Sequence, residues 1–129
     1  MKSTLIIYSS TDGQTRNICS RIGEFLSNDT PLKIISLSEA TNNDIEKYEQ
    51  VIIGASIRYG KHKKELFKFI DKNLDELTKK DNAFFSVNVV ARKPEKNTPE
   101  TNPYMQKFLL KTAWVPQKLA VFAGKIDYP

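Results

Sequence analysis

Cysteine is almost missing from this sequence. One stands among 129 residues, Cys19, so no internal disulfide can form. No CxxC pair occurs and His62 is the single histidine, which removes a disulfide scaffold and a Cys/His zinc site. No metal centre is expected, and the cysteine usage fits a reducing compartment. Long apolar runs are missing too. Short runs such as 5–7, 51–53 and the largely apolar 87–91 fall far short of the ~20 residues a membrane span needs. The first residues are one lysine and then a strand-like segment, too short and too mixed for a secretory signal. Neither glycine-rich nucleotide motif is present. The absence of GxxxxGK followed by Ser or Thr argues against an NTPase, and the absence of GxGxxG from the first turn disfavours a pyrophosphate-bridged cofactor. There is no internal repeat and no low-complexity tract.

What is present is one ordinary domain. The apolar share is 40% and the charged share 27%, which argues against disorder. A chain of this length buries enough surface to fold without staples. The net charge is +5, spread along the chain with no basic tail. That sign favours an anionic partner without choosing among nucleic acid, a membrane surface and a carboxylate-bearing small molecule. The aromatics fall mostly on core-facing positions, so nucleic acid is not expected.

Hydrophobic periodicity gives the elements. The β-branched and aromatic run at 4–8 reads as a strand buried on both faces. Ile18, Ile22, Phe25 and Leu26 then fall at helical spacing, until 28–31 stops the helix. A second strand follows at 32–37. A short helix at 42–48 has Asn42 or Asn43 near its cap, and a third strand lies at 51–55. Leu66, Phe67, Ile70, Leu74 and Leu77 mark one amphipathic helix, and 83–90 a fourth strand. The polar stretch 92–101 carries Pro94 and Pro99 and reads as a loop. Pro103 suits the first turn of a helix to about Thr112, and 119–123 is a fifth strand. Strands alternating with helices mean an α/β fold with a parallel, doubly wound sheet. Ligands of such sheets sit at the carboxyl ends of the strands.

Three loops occupy that edge. The first offers Ser10, Thr11, Asp12, Gly13, Gln14 and Thr15 at the start of a helix: hydroxyls, amides and free backbone N–H groups with no lysine. Such a set suits one terminal phosphate held by neutral donors. An N-cap with an ordinary turn uses the same residue types. A phosphoacceptor receiver domain would want paired acids here, and only Asp12 is near. The second loop, Ser56, Ile57, Arg58, Tyr59 and Gly60, combines an aromatic to lie against a flat ring with a glycine that permits close backbone approach. Arg58, Lys61, Lys63 and Lys64 put four fixed cations within seven residues, at a helix start where cations are unfavourable. An anionic partner accounts for them better than a purely structural role. The third loop begins at Asn88, Val89, Val90 and Ala91, whose backbone can edge the same flat ligand. Arg92, Lys93 and Lys96 extend the basic rim. His62 reads as readily as a surface residue, and Cys19 as core packing on the first helix.

Together the three loops resemble a known family. Residues 5–15, LIIYSSTDGQT, are similar to the flavodoxin phosphate signature. GASIRYG at 54–60 and SVNVVARKPEKNTPETNPY at 86–104 resemble, more narrowly, the flavodoxin-type, menaquinone-dependent protoporphyrinogen IX oxidases. The likeness runs over essentially the whole chain, and its 86–104 part is the most specific. It implies a single flavodoxin-like domain over 1–129 with sheet order 2-1-3-4-5 and a long insertion at about 92–117. It implies FMN as cofactor, its phosphate held by residues 10–15 and its ring flanked by 56–60 and 88–91. The implied reaction is oxidation of protoporphyrinogen IX to protoporphyrin IX in haem synthesis. Electrons would pass to menaquinone or another quinone through flavin N5 chemistry, with no catalytic side chain needed. Arg58, Lys61, Lys63, Lys64, Arg92 and Lys93 would attract the substrate's propionates. The implied location is cytoplasmic, in peripheral contact with the anionic inner face of the membrane. A flavodoxin electron carrier is the alternative, which +5 opposes because simple flavodoxins are usually acidic. An NAD(P)H:quinone reductase is another. Family chains continue into a further helix on the face of helix one. A strip beside strands one and five is therefore expected to be open unless another subunit covers it.

Overall fold

The computed structural model describes residues 3–9, 14–25, 31–57 and 62–123. Five strands, β1 (Thr4–Ser9), β2 (Leu32–Ser36), β3 (Gln50–Ser56), β4 (Asp81–Val87) and β5 (Lys118–Phe122), form one parallel sheet in the order β2-β1-β3-β4-β5. The winding reverses between β1 and β3, in the strand order that the resemblance implies. Register is set by the inner apolar rows: Ile6 lies between Ile34 and Ile52, and Ile53 beside Phe84. Leu5, Ile6 and Ile7 are all fully buried, as a central parallel strand covered on both faces requires.

The helices divide the core in two. On one face, Leu5, Ile7, Val51, Ile53 and Phe84 pack against Ile45 of α2 (Asn42–Lys47), Leu66 and Ile70 of α3 (Lys64–Lys72), Leu77 of α4 (Leu74–Lys79), and Met105 and Phe108 of α5 (Pro103–Lys111). On the other, Ile6, Ile52, Phe85 and Val87 meet Ile18 and Cys19 of α1 (Gln14–Phe25). Cys19 is a core residue, as expected, and burial pushes its thiol up to about 12. Along the β5 side of this second face Ala120 and Phe122 are half-buried.

Three expectations are corrected. The cap of α2 is Thr41, one residue earlier than read: it accepts from Asp44 N while the Asp44 carboxylate accepts from Thr41 N. The single helix expected through Leu77 is two, α3 and α4, divided at Asn73. Asn73 is buried, donates to Phe69 O at 2.8 Å and accepts from Asn42 Nδ2 at 2.8 Å. An asparagine bonded back to its own helix competes with the continuing ladder. Finally, β4 ends at Val87, and the chain turns through short 3-10 segments at Val89–Arg92 and Pro94–Lys96 where a longer strand and a plain loop were read.

Candidate functional site

The carboxyl ends of β1, β3 and β4 lie level with one another. Ser9 pairs with Ala55, and Ser56 with Val87. The ladder runs on slightly past the strands: Ile57 N donates to Val87 O at 3.0 Å, and Asn88 N to Phe122 O at 2.9 Å. Ser9 is buried, and Ser56 Oγ reaches its carbonyl at a long 3.5 Å. Beyond β1, α1 opens at Gln14 with no acidic residue in its first turn. Unpaired N–H groups and the dipole at a helix start favour an anion.

Beside this edge is a cavity of about 560 Å3. Its walls are Tyr8 and Ser9, the turn after β2 (Ser36, Leu37 and Ser38), and Lys63, Glu65 and Phe69. Ser36 Oγ donates to Glu39 Oε1 at 2.9 Å, fixing the turn. The volume is that of a small-molecule site, and its wall mixes Tyr8, Leu37 and Phe69 with three serines, Lys63 and Glu65.

Among the sequence-derived site residues, Ser10, Thr11, Asp12, Gly13, Arg58, Tyr59, Gly60 and Lys61 lie outside the described residues. Gln14 and Thr15 begin α1. Ser56 and Ile57 sit half-buried at the edge, next to the start of the 88–91 segment. Val89 and Val90 are on the first 3-10 turn, while Asn88 and Ala91 are buried. Lys63 lines the cavity, and Lys64, Arg92 and Lys93 are exposed. Among the described residues no three His, Cys, Asp or Glu side chains gather as a metal site.

Sequence reasoning missed the polar core behind the edge. His62 is not a surface residue: it is 5% exposed, ringed edge-on by Phe67, Phe84 and Phe108. Desolvation, with a contribution from Lys111, lowers its pKa from 6.5 to about 4. Its Nε2 lies 2.9 Å from Ser86 Oγ. Ser86 Oγ accepts from Asn88 Nδ2 at 3.1 Å, and Asn88 and Asn102 exchange amide bonds at 3.1 and 2.9 Å. Asn102 Oδ1 caps α5 through Tyr104 N and Met105 N. The Asn102-Pro103 pair, an N-cap followed by proline at the first helical position, was the one available signal.

A flavodoxin-domain family model matches residues 5–129. Protoporphyrinogen IX dehydrogenase (quinone) of Escherichia coli K12 is 42% identical over 127 residues, 98% of this chain and 70% of that protein. The chain belongs to the flavodoxin-domain family, among the protoporphyrinogen IX dehydrogenases. It is a flavodoxin-like oxidoreductase. Solved structures agree on the fold. A short-chain flavodoxin associated with a non-canonical PDU bacterial microcompartment superposes with a TM-score of 0.65 at 16% identity, over 95% of this chain and 84% of that one. A Fusobacterium nucleatum flavodoxin bound to flavin mononucleotide gives 0.54 at 17% identity, over 93% and 78%.

Proposed function

We propose that this chain binds FMN at the carboxyl edge of its sheet and oxidises protoporphyrinogen IX to protoporphyrin IX for haem synthesis, passing the electrons to menaquinone or a related quinone. The observation that carries this reading is the 42% identity, across 98% of the chain, to a protein named protoporphyrinogen IX dehydrogenase (quinone). The start of α1 beside the level ends of β1, β3 and β4 fits an FMN phosphate and a flat ring.

In this reading residues 1–129 are one FMN domain with an insertion at about 92–117. Residues 10–15 hold the phosphate, while 56–60 and 88–91 flank the ring. FMN supplies the two-electron redox chemistry. The protein's part is to bind, orient and attract. Arg58, Lys61, Lys63, Lys64, Arg92 and Lys93 draw the substrate's carboxylates to the rim. No described helix is long and apolar enough to cross a membrane. Contact with an anionic leaflet, where the quinone lies, rests on the net charge of +5.

The test is anaerobic. The chain loaded with FMN should lose its flavin absorbance on adding protoporphyrinogen IX and regain it on adding a water-soluble naphthoquinone. Bleaching by NADPH alone would replace the proposal with an NAD(P)H:quinone reductase. Reduction only through a reductase protein would make the chain an electron carrier.

A further inference from the structure

The buried polar side chains behind the sheet edge have a direction as well as a location. Its source is α5. Tyr104 N and Met105 N can only donate, so the atom of Asn102 that meets them at 3.1 and 3.2 Å is its oxygen. The other terminal atom of Asn102 is then the amide nitrogen, and it donates to Lys96 O at 2.9 Å, as it must. That nitrogen also donates to Asn88 Oδ1 at 2.9 Å, which fixes Asn88 in turn. Asn88 Nδ2 therefore donates both to Asn102 Oδ1 and to Ser86 Oγ, each at 3.1 Å. With Ser86 Oγ accepting from Asn88, its own proton is free to go to His62 Nε2, 2.9 Å away. A hydroxyl oxygen has two lone pairs, so Ser86 either donates this bond or accepts it from Nε2–H, according to the imidazole tautomer. One set of helix N–H groups thus fixes the orientation of both amides, and through Asn88 the path reaches Ser86 and His62.

The two ends of this chain of bonds matter for the site. His62 stands next to Lys63, the N-cap of α3, and follows residues 58–61 in the chain. On the other side of that segment, Ile57 N is bonded to Val87 O at 3.0 Å. The connection from β3 to α3 is thus pinned on both sides to neighbouring residues of β4, by Val87 at its entry and Ser86 at its exit. Asn88 is the first residue after β4, and its carbonyl accepts from Ala91 N at 3.2 Å. Asn102 is the last residue before α5, so the return of the long 88–102 connection is held at the same point.

We propose that His62, Ser86, Asn88 and Asn102 form one buried strut that fixes the spacing between the two loops flanking the flavin ring, with His62 a positioning residue that never touches the flavin. The proposal rests on the FMN reading for its consequence, though the strut itself is a property of the chain alone. Four residues from four places in the fold (the start of α3, the body of β4, its exit, and the cap of α5) share one hydrogen-bonded path. All four are 5% exposed or less. In such a dry network a lost partner is felt along the whole path.

The experiment uses the full chain and two readouts. Amide exchange is measured at 88–91 in the FMN-free protein, and the FMN dissociation constant is measured by flavin fluorescence. His62→Phe keeps a ring and deletes the hydrogen bond to Ser86. His62→Gln returns a side-chain oxygen that can accept from Ser86. Ser86→Ala cuts the path one step further on. His62→Phe should speed exchange at 88–91 by roughly tenfold and weaken FMN binding by a similar factor, while His62→Gln stays within about threefold on both. On a Ser86→Ala background, His62→Phe should add nothing further.

Unchanged exchange at 88–91 in His62→Phe, effects of His62→Gln as large as those of His62→Phe, or additivity with Ser86→Ala would overturn the strut. Altered exchange with an unchanged FMN constant would overturn its link to the flavin. If the unsubstituted chain takes up no FMN, the functional reading fails and the exchange measurement still decides the strut.

Discussion

Gly54 is a position where the absence of a side chain is structural. The ring of Phe85, on the neighbouring strand and paired with it in register, lies across the Gly54 α-carbon, where a methyl group would stand. Phe85 is itself 2% exposed and packs edge-on against Phe122, so it has little room to retreat. Gly54→Ala should therefore cost about 1–3 kcal/mol in urea melts, and a further Phe85→Leu change should recover part of it. His62 gives a second prediction, in pH. Its pKa falls from 6.5 to about 4 because burial removes water from the imidazolium. Lys111 adds to the effect, and Lys107 lines the same small pocket. Between those two values the unfolded chain binds a proton that the folded chain refuses, so stability falls as pH falls. The contribution is complete above about pH 6.5 and lost by about pH 4, a loss of roughly 3 kcal/mol. Urea melts of His62→Gln and the unsubstituted chain at pH 7.5 and 4.5 isolate this from the carboxylates, since only the unsubstituted chain should show it.

The elements show where local pattern sufficed and where it did not. The central strands were legible because a buried parallel strand is a short apolar run, and 4–8, 51–55 and the first part of the 83–90 reading supply one each. The candidate ligand edge followed from the order of strands and helices alone. The break at Asn73 was not legible. Ile70, Leu74 and Leu77 keep their helical spacing straight through it, and Asn42, which holds Asn73, is distant in sequence. Residues 88–90 extend the β-branched look of β4, yet the strand stops because Asn88 turns inward to Ser86 and Asn102. His62 was misread for the same kind of reason. Its sequence neighbours are lysines, whereas the rings that bury it come from α3, β4 and α5. Those contacts exist only after the sheet has brought three elements together. What escaped the sequence is thus a set of polar side chains satisfied by partners from distant elements, and the candidate site rests on them.

At the scale of the molecule, the +5 charge acquires a place. Lys63 and Lys64 open α3, and Arg92 and Lys93 end the first 3-10 turn, both regions at the carboxyl edge of the sheet. Lys64 and Lys93 are exposed and stand outside the buried strut, so charge reversal there can be read as a change in field and not in fold. A substrate bearing two carboxylates should feel that field during approach and release. The attraction reaches about 8 Å at physiological salt and shrinks to about 3 Å at 1 M. KM for protoporphyrinogen IX should accordingly rise with salt in the FMN-loaded chain. Lys64→Glu with Lys93→Glu should raise KM by roughly tenfold at low salt and flatten its salt dependence. The turnover rate at saturation should be unchanged, because neither side chain is asked to move a proton or an electron. A fall in kcat with KM unchanged would mean that these lysines serve the reaction itself, and the rim would then have to be redrawn as part of the chemistry. A KM indifferent to both salt and substitution would mean that Lys64 and Lys93 take no part in substrate recognition.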